Sequence, residues 1–203
     1  MGNEAKCSVV SGGKRVAGKA LLETAELIFR GDALKLKIPF VQMRSVKAVD
    51  GGLRVESPNG TFTFELGSNA EKWAQRILHP KSRLEKLGIE TGMKVTVIGS
   101  LGQEFEDELA TATPNVLRGT IAKDTDCIFL SVSAVKELER AKNIAKVMRG
   151  AVPLWIVYPK GRKDFTENDV LRTGRAAGLK DVKVVGFSAT QTALKFVIPV
   201  DKR

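Results

Sequence analysis

The sequence predicts two folds in one chain: a small antiparallel β barrel with a C-terminal helix, then an open α/β sheet that ends in an antiparallel strand. Three observations carry this. Residues 18–66 repeat short runs of alternating apolar and polar side chains between glycine turns, the period of half-buried strands. Near residue 69 the apolar spacing switches to three and four, the period of a helix. Beyond residue 82 continuous apolar runs alternate with helical stretches, the pattern of a parallel sheet.

Residues 1–17 are rich in Gly, Ser and Lys without periodicity, which predicts a flexible start. From residue 18 to 80, Leu34, Leu36 and Ile38 alternate with Lys35 and Lys37. Asp50-Gly51-Gly52 and Pro58-Asn59-Gly60 mark hairpins, and Phe62, Phe64 and Leu66 alternate in the last strand. Ser68 or Asn69 can cap the helix that follows. Glu71 sits in its first turn, Trp73 and Ile77 lie on its apolar face, and Pro80 ends it. Trp73 is the expected plug of the barrel.

The second domain is read over residues 81–203. Ser82 with Glu85 has capping-box spacing, and Gly88 stops that short helix. Strands are expected at Val95–Ile98, 116–122, 126–132 and 152–158, with helices at 103–112, 134–148 and 166–177. The last two strands, 182–187 and 194–198, are joined too closely for a helical crossover and should pair antiparallel. This is a Rossmann-like sheet in the layout of methyltransferase-like α/β folds.

The chain has 203 residues, 43% of them hydrophobic, enough for two small cores. No apolar run approaches the roughly 20 residues that cross a bilayer, and no secretory leader is read at the N-terminus. A cytoplasmic protein is expected, with Cys7 and Cys127 as free thiols. The net charge of +10 falls on both halves and permits nucleic-acid binding. Aromatic residues at 6% supply a base-stacking platform poorly, so that reading is weakly supported. Lys35 and Lys37 share one outer face but lack a dense basic cluster, so specific lipid binding is not expected.

No catalytic constellation emerges. The single histidine, His79, sits beside Pro80 with no nucleophile motif in the chain. No Cys/His cluster has metal-ligand spacing, and no cofactor is expected. Ligands of open α/β sheets bind at the carboxyl ends of the strands. That edge collects Gly99, Ser100 and Gly102 after one strand, Ser131 after a second, and Lys160, Arg162 and Lys163 after a third. A strand, a glycine turn and a helix present backbone N–H groups to a phosphate or ribose. The loop lacks the third dinucleotide glycine and the phosphate-loop lysine. Glu104, Glu106, Asp107 and Glu108 follow it and oppose an anion there. The three basic residues are expected to clamp a zwitterionic ligand or a mixed-charge partner beside the glycine loop.

The hairpin string, the Ile38-Pro39-Phe40 element and the helix EKWAQRI resemble a PH-like domain of the bacterial or GRAM type over residues 18–79. The resemblance implies lipid or protein binding, although members often bind no lipid. The segments LEKLGIETGMKV, LWIVYPKG, AAGLKDVKVV and TALKFVIP resemble a small bacterial domain family of unknown function, over residues 82–200. That family carries a tryptophan before its final strand, where this chain has Gln191. The resemblance implies a fold and no established reaction. The sequence therefore predicts a non-enzymatic binding or adaptor protein with a protein or small-molecule partner. The alternative is a nucleotide- or S-adenosylmethionine-binding protein or enzyme using the edge near Gly99–Gly102.

Overall fold

A computed structural model describes residues 3–203. It corrects the expectation of a flexible start. Strands β1 (Asn3–Ser11) and β2 (Lys14–Leu22) form a hairpin in which Asn3 lies opposite Leu22 and Ser11 opposite Lys14. Gly12 and Gly13 take φ of 54° and 76°, the left-handed pair that a tight hairpin turn requires. The side chains β1 turns toward the core are Ala5, Cys7 and Val9. Two of the three are small, so their alternation is faint in the sequence. The first core therefore begins at β1 rather than at Gly18.

Strands β3 (Glu26–Gly31), β4 (Lys35–Pro39), β5 (Ser45–Val49), β6 (Gly52–Ser57) and β7 (Gly60–Glu65) complete a curled antiparallel sheet in the order β4-β3-β2-β1-β7-β6-β5. The meander joins across β1 and β7, with Val9 opposite Phe64, and leaves β4 and β5 as its edges. Helix α1 (Asn69–Leu78) packs on β5 and β6. Ala70, Trp73, Ala74 and Ile77 are its buried face, gathered with Leu27, Phe29, Leu53 and Phe64 into one core. Ser68 precedes α1, but its side chain accepts no capping bond.

The chain divides into two compact units, Met1–Lys81 and Ser82–Arg203. In the second, α2 (Arg83–Leu87) is fixed by its capping box. The Glu85 N–H donates to Ser82 Oγ at 3.1 Å and the Ser82 N–H donates to the Glu85 carboxylate at 2.7 Å. The chain continues through β8 (Val95–Ile98), α3 (Gln103–Ala112), β9 (Val116–Arg118), β10 (Cys127–Ser131), α4 (Glu139–Val147), β11 (Leu154–Pro159), α5 (Glu167–Ala176), β12 (Lys180–Gly186) and β13 (Gln191–Val197). The sheet order is β12-β13-β11-β10-β8-β9. Strands β8 to β11 run parallel, and β13 is antiparallel to both β11 and β12.

The last two strands begin earlier than expected, at Lys180 and Gln191, and two further boundaries differ from the sequence pattern. The strand expected over 116–122 stops at Arg118 because Gly119 turns the chain at φ 76°. The helix expected over 134–148 opens as a 3₁₀ turn, Val135–Leu138, before α4 begins.

Strand β11 is buried on both faces. Leu154, Ile156 and Tyr158 enter one apolar cluster, and Trp155 and Val157 enter the other. The Trp155 indole N–H donates to the Leu87 carbonyl at 3.1 Å, which satisfies its one polar atom and ties α2 to the sheet.

Helix α5 meets the sheet through Gly174. A Cβ there would overlap the Phe196 ring of β13. Gly174→Ala should therefore destabilise the protein by up to about 2 kcal/mol, the overpacking cost of about 1–3 kcal/mol less the roughly 1 kcal/mol gained in helix propensity. Urea denaturation measures this, and a stabilised variant would show that α5 can shift at no cost.

Burial pushes the Cys127 thiol up to about 12. An unfolded thiol titrates near 8.5, so the folded value is raised. The associated stability is complete below about pH 8.5 and is lost as pH rises toward 12, by up to about 1.4 kcal/mol per unit. Comparing urea midpoints at pH 7.5 and 10, Cys127→Ala should lose less stability between the two than the parent protein. Equal losses would assign the alkaline sensitivity to other groups.

Candidate ligand-binding edge of the α/β sheet

The parallel strands bring Gly99, Ser131 and Lys160 to one edge, because each follows or ends a strand running in the same direction. Gly99 (φ 89°) and Gly102 (φ 86°) both occupy the left-handed region, so the β8–α3 connection depends on glycine at both ends. Gly99 also packs directly on the end of β10. A Cβ at Gly99 would lie 2.8 Å from the Ser131 carbonyl oxygen and 3.2 Å from its Cβ. Ser100 is exposed and Gly102 is the residue before α3.

The acidic start of α3 is largely matched by the unit's own groups. Arg83 Nε donates to Glu108 at 2.6 Å, Nη2 to Glu104 at 3.1 Å and Nη1 to the Phe187 carbonyl at 3.0 Å. Its guanidinium also lies 5.1 Å from the centroid of the Phe105 ring and 5.5 Å from that of Phe187. Arg118 at the end of β9 pairs with Glu106 at 2.5 Å, and Gln103 donates to Asp107 at 2.6 Å. Sequence reasoning missed Arg83. The capping box identifies its helix, but no local pattern shows that its fork meets carboxylates 21 and 25 residues away.

The basic loop is drawn to other neighbours. Lys160 Nζ donates to the Ser188 carbonyl at 2.7 Å in the β12–β13 turn. Arg162 pairs with Asp164, which holds that carboxyl below its usual range, and donates to the Ser133 carbonyl at 2.9 Å. Lys163 is exposed and has no ion-pair partner among the described residues. The loop borders a shallow pocket of about 210 Å³ lined by Tyr158, Lys160, Arg162, Phe165, Glu167 and Thr192, which does not include the glycine loop. Burial and the Tyr158 hydroxyl's bond to Glu167 at 2.9 Å raise the phenol's pKa, so it stays protonated at neutral pH. The loops after β10 and β11 are thus joined by Arg162, and Gly99 is joined to Ser131. No hydrogen bond or ion pair links Lys160, Arg162 or Lys163 to Gly99–Gly102 among the described residues.

No protein-family model matches the sequence, and no curated protein matches it. Solved structures with a similar arrangement include a SAM-dependent methyltransferase from Aquifex aeolicus, at 15% identity and a TM-score of 0.41, covering 62% of this chain and 93% of that one. A TehB-like SAM-dependent methyltransferase from Corynebacterium glutamicum matches at 14% identity and a TM-score of 0.40, covering 65% and 97%. The C-terminal domain of an unknown protein from Leishmania infantum matches at 16% and 0.32, covering 37% and 80%. The α/β unit is an open sheet of four parallel strands that ends in an antiparallel pair. Likeness at this level carries no argument about this chain.

Arg83 is the group on which the edge turns. Arg83→Ala should cost about 2–4 kcal/mol, since it leaves the part-buried Glu108 carboxylate and the Phe187 carbonyl without their donor. Arg83→Lys should recover only part of this, because an ammonium cannot match the planar fork. Chemical denaturation gives the values, and a loss below about 0.5 kcal/mol for the alanine variant would reduce the cluster to solvated surface charge.

Proposed function

We propose that the protein is a non-enzymatic binding or adaptor protein, in which a PH-like module is followed by a methyltransferase-like α/β module that no longer holds a nucleoside cofactor. The observation that carries this is the state of the sheet edge. Methyltransferase-like sheets that work carry a longer glycine-rich loop and an acidic residue ending the next strand. Here β9 ends in Arg118, already committed to Glu106, and one side of Gly99 packs against Ser131. The seven-stranded meander and the helix α1 on β5 and β6 support the PH-like reading of the first unit.

The second reading is a small-molecule binder or enzyme of the S-adenosylmethionine or nucleotide class. It is favoured by the β8–Gly99–Gly102–α3 connection, whose exposed glycines leave backbone open to a ligand. In either reading Lys160, Arg162 and Lys163 are the positions for contact with a partner or anionic group.

The experiment is a thermal-shift series with S-adenosylmethionine, S-adenosylhomocysteine, ATP and NAD at about 1 mM. A ligand with a Kd of about 10 μM would stabilise the native state by about 2.7 kcal/mol, several degrees in melting temperature. No shift is expected. A saturable rise that Ser131→Trp removes would overturn the proposal in favour of the second reading.

A further inference from the structure

The outer face of the first four strands carries a row of cations that the sequence does not show. Lys6 of β1 lies directly opposite Lys19 of β2. Lys19 lies opposite Arg30 of β3, and Arg30 opposite Lys35 of β4. Four basic residues therefore stand side by side across four adjacent strands. Their neighbours Ala5, Ala20, Phe29 and Leu36 lie in or against the core, so alternation turns the four cations outward. Lys6, Arg30 and Lys35 are exposed, and Lys19 is half-buried.

Such a row is costly. Directly opposite side chains have Cβ atoms about 5 Å apart, and like charges in that position destabilise a sheet. The compensation is slight. Glu4 pairs with Lys19 at 2.6 Å, while Lys6, Arg30 and Lys35 have no ion-pair partner among the described residues. Of the other carboxylates, Glu26 pairs with Lys37 at 3.2 Å and Glu65 with Arg15 at 2.5 Å, while Asp32 in the exposed β3–β4 turn is in no ion pair among the described residues.

We propose that this face binds the phosphate backbone of a nucleic-acid duplex, without regard to sequence. The charge row runs across four neighbouring strands, and it fits a linear polyanion. Three inter-strand steps of about 4.8 Å make it about 14 Å long, the axial span of roughly four successive phosphates on one strand of a duplex at about 3.4 Å each. The outward positions of β1–β4 hold no aromatic residue, so stacking on splayed bases has no platform. None of the large apolar side chains that stand exposed lies on these strands, so nothing projects to enter a bilayer. A backbone-only contact is the partner that both features leave. The inference goes beyond the proposed adaptor role and does not depend on what the α/β unit holds.

The test uses the full chain and a fluorescein-labelled 20-base-pair DNA duplex, followed by anisotropy from 50 to 300 mM KCl. Binding should be detectable at low salt. The logarithm of the association constant should fall with the logarithm of salt at a slope of about −3 to −4, as expected for three to four neutralised phosphates. The triple variant Lys6→Glu, Arg30→Glu and Lys35→Glu should bind at least about tenfold more weakly. Its melting temperature should be unchanged or higher, because two carboxylates then face Lys19 while the pair at positions 30 and 35 exchanges one like-charge repulsion for another. If that variant does not fold, the triple glutamine variant serves, with the slope reduced by about three units. Charge reversal at Lys123 and Lys146, exposed lysines outside the row, should leave binding within about twofold. The proposal is overturned if the parent chain fails to bind at 50 mM KCl, or if the row variant binds as the parent does. It is equally overturned if phosphatidylserine vesicles bind the chain and the duplex does not displace them.

Discussion

Every helix of the α/β unit is placed by the face of β11 it covers. A central strand buried on both sides cannot slip by one residue without exchanging two packed surfaces. Leu154, Ile156 and Tyr158 face the cluster that holds α4 and α5, through Ala141, Ile144 and Val170. Trp155 and Val157 face the cluster that holds α2 and α3, through Leu87, Phe105 and Leu109. The register then follows in both directions, to β10 with Phe129 opposite Trp155 and to β13 with Lys195 opposite Trp155. The loops at the carboxyl ends inherit their positions from this strand. Polar groups admitted to the interior are matched: Thr96 bonds Thr125 at 3.0 Å, and among the described residues no buried side-chain polar atom lacks a partner.

Much of this was legible in the sequence, and the reason is local. The Ser82–Glu85 box, the Gly88 stop and the Asp50-Gly51 turn each depend on residues within four positions of one another. The antiparallel end of the sheet was legible because too few residues separate β12 from β13 for a crossover. What failed to show is equally physical. Strand β1 turns Ala5 and Cys7 inward, side chains too small to mark a period, and its Gly12-Gly13 turn resembles the composition of a loose tail. The 3₁₀ opening at Val135 keeps the same apolar face as the helix it precedes, so spacing alone cannot separate the two.

The ligand edge was legible as a place and not as a set of contacts. Strand direction puts Gly99, Ser131 and Lys160 at one end of the sheet, and that much needs only topology. The pattern could not show where flexible cations reach. Lys160 turns to Ser188 and Arg162 to Asp164 and Ser133, partners between 2 and 29 residues away. Acidic residues on α3 looked like a barrier to anions. With Arg83 and Arg118 in place three of those four carboxylates are ion-paired, so the local field is milder than the sequence suggests.

The same limit explains why the basic row was invisible. In sequence, Lys6, Lys19, Arg30 and Lys35 are single charges separated by 5 to 13 positions, each an ordinary outward residue of a strand. Pairing converts them into neighbours, because a meander places the ends of long separations side by side. A cross-strand charge row is thus a property of register, and register was not determined where β1 was missed. The row also differs in kind from the loop at Lys160. There Lys160 and Arg162 are each met by a carbonyl or a carboxylate of the chain, and Lys163 alone of the three is in no ion pair among the described residues. On the outer face three of the four cations in the row are in no ion pair among the described residues, and the fold carries their repulsion. An uncompensated cost that packing does not require points to a partner more directly than a glycine loop does, since the turn alone already accounts for the glycines.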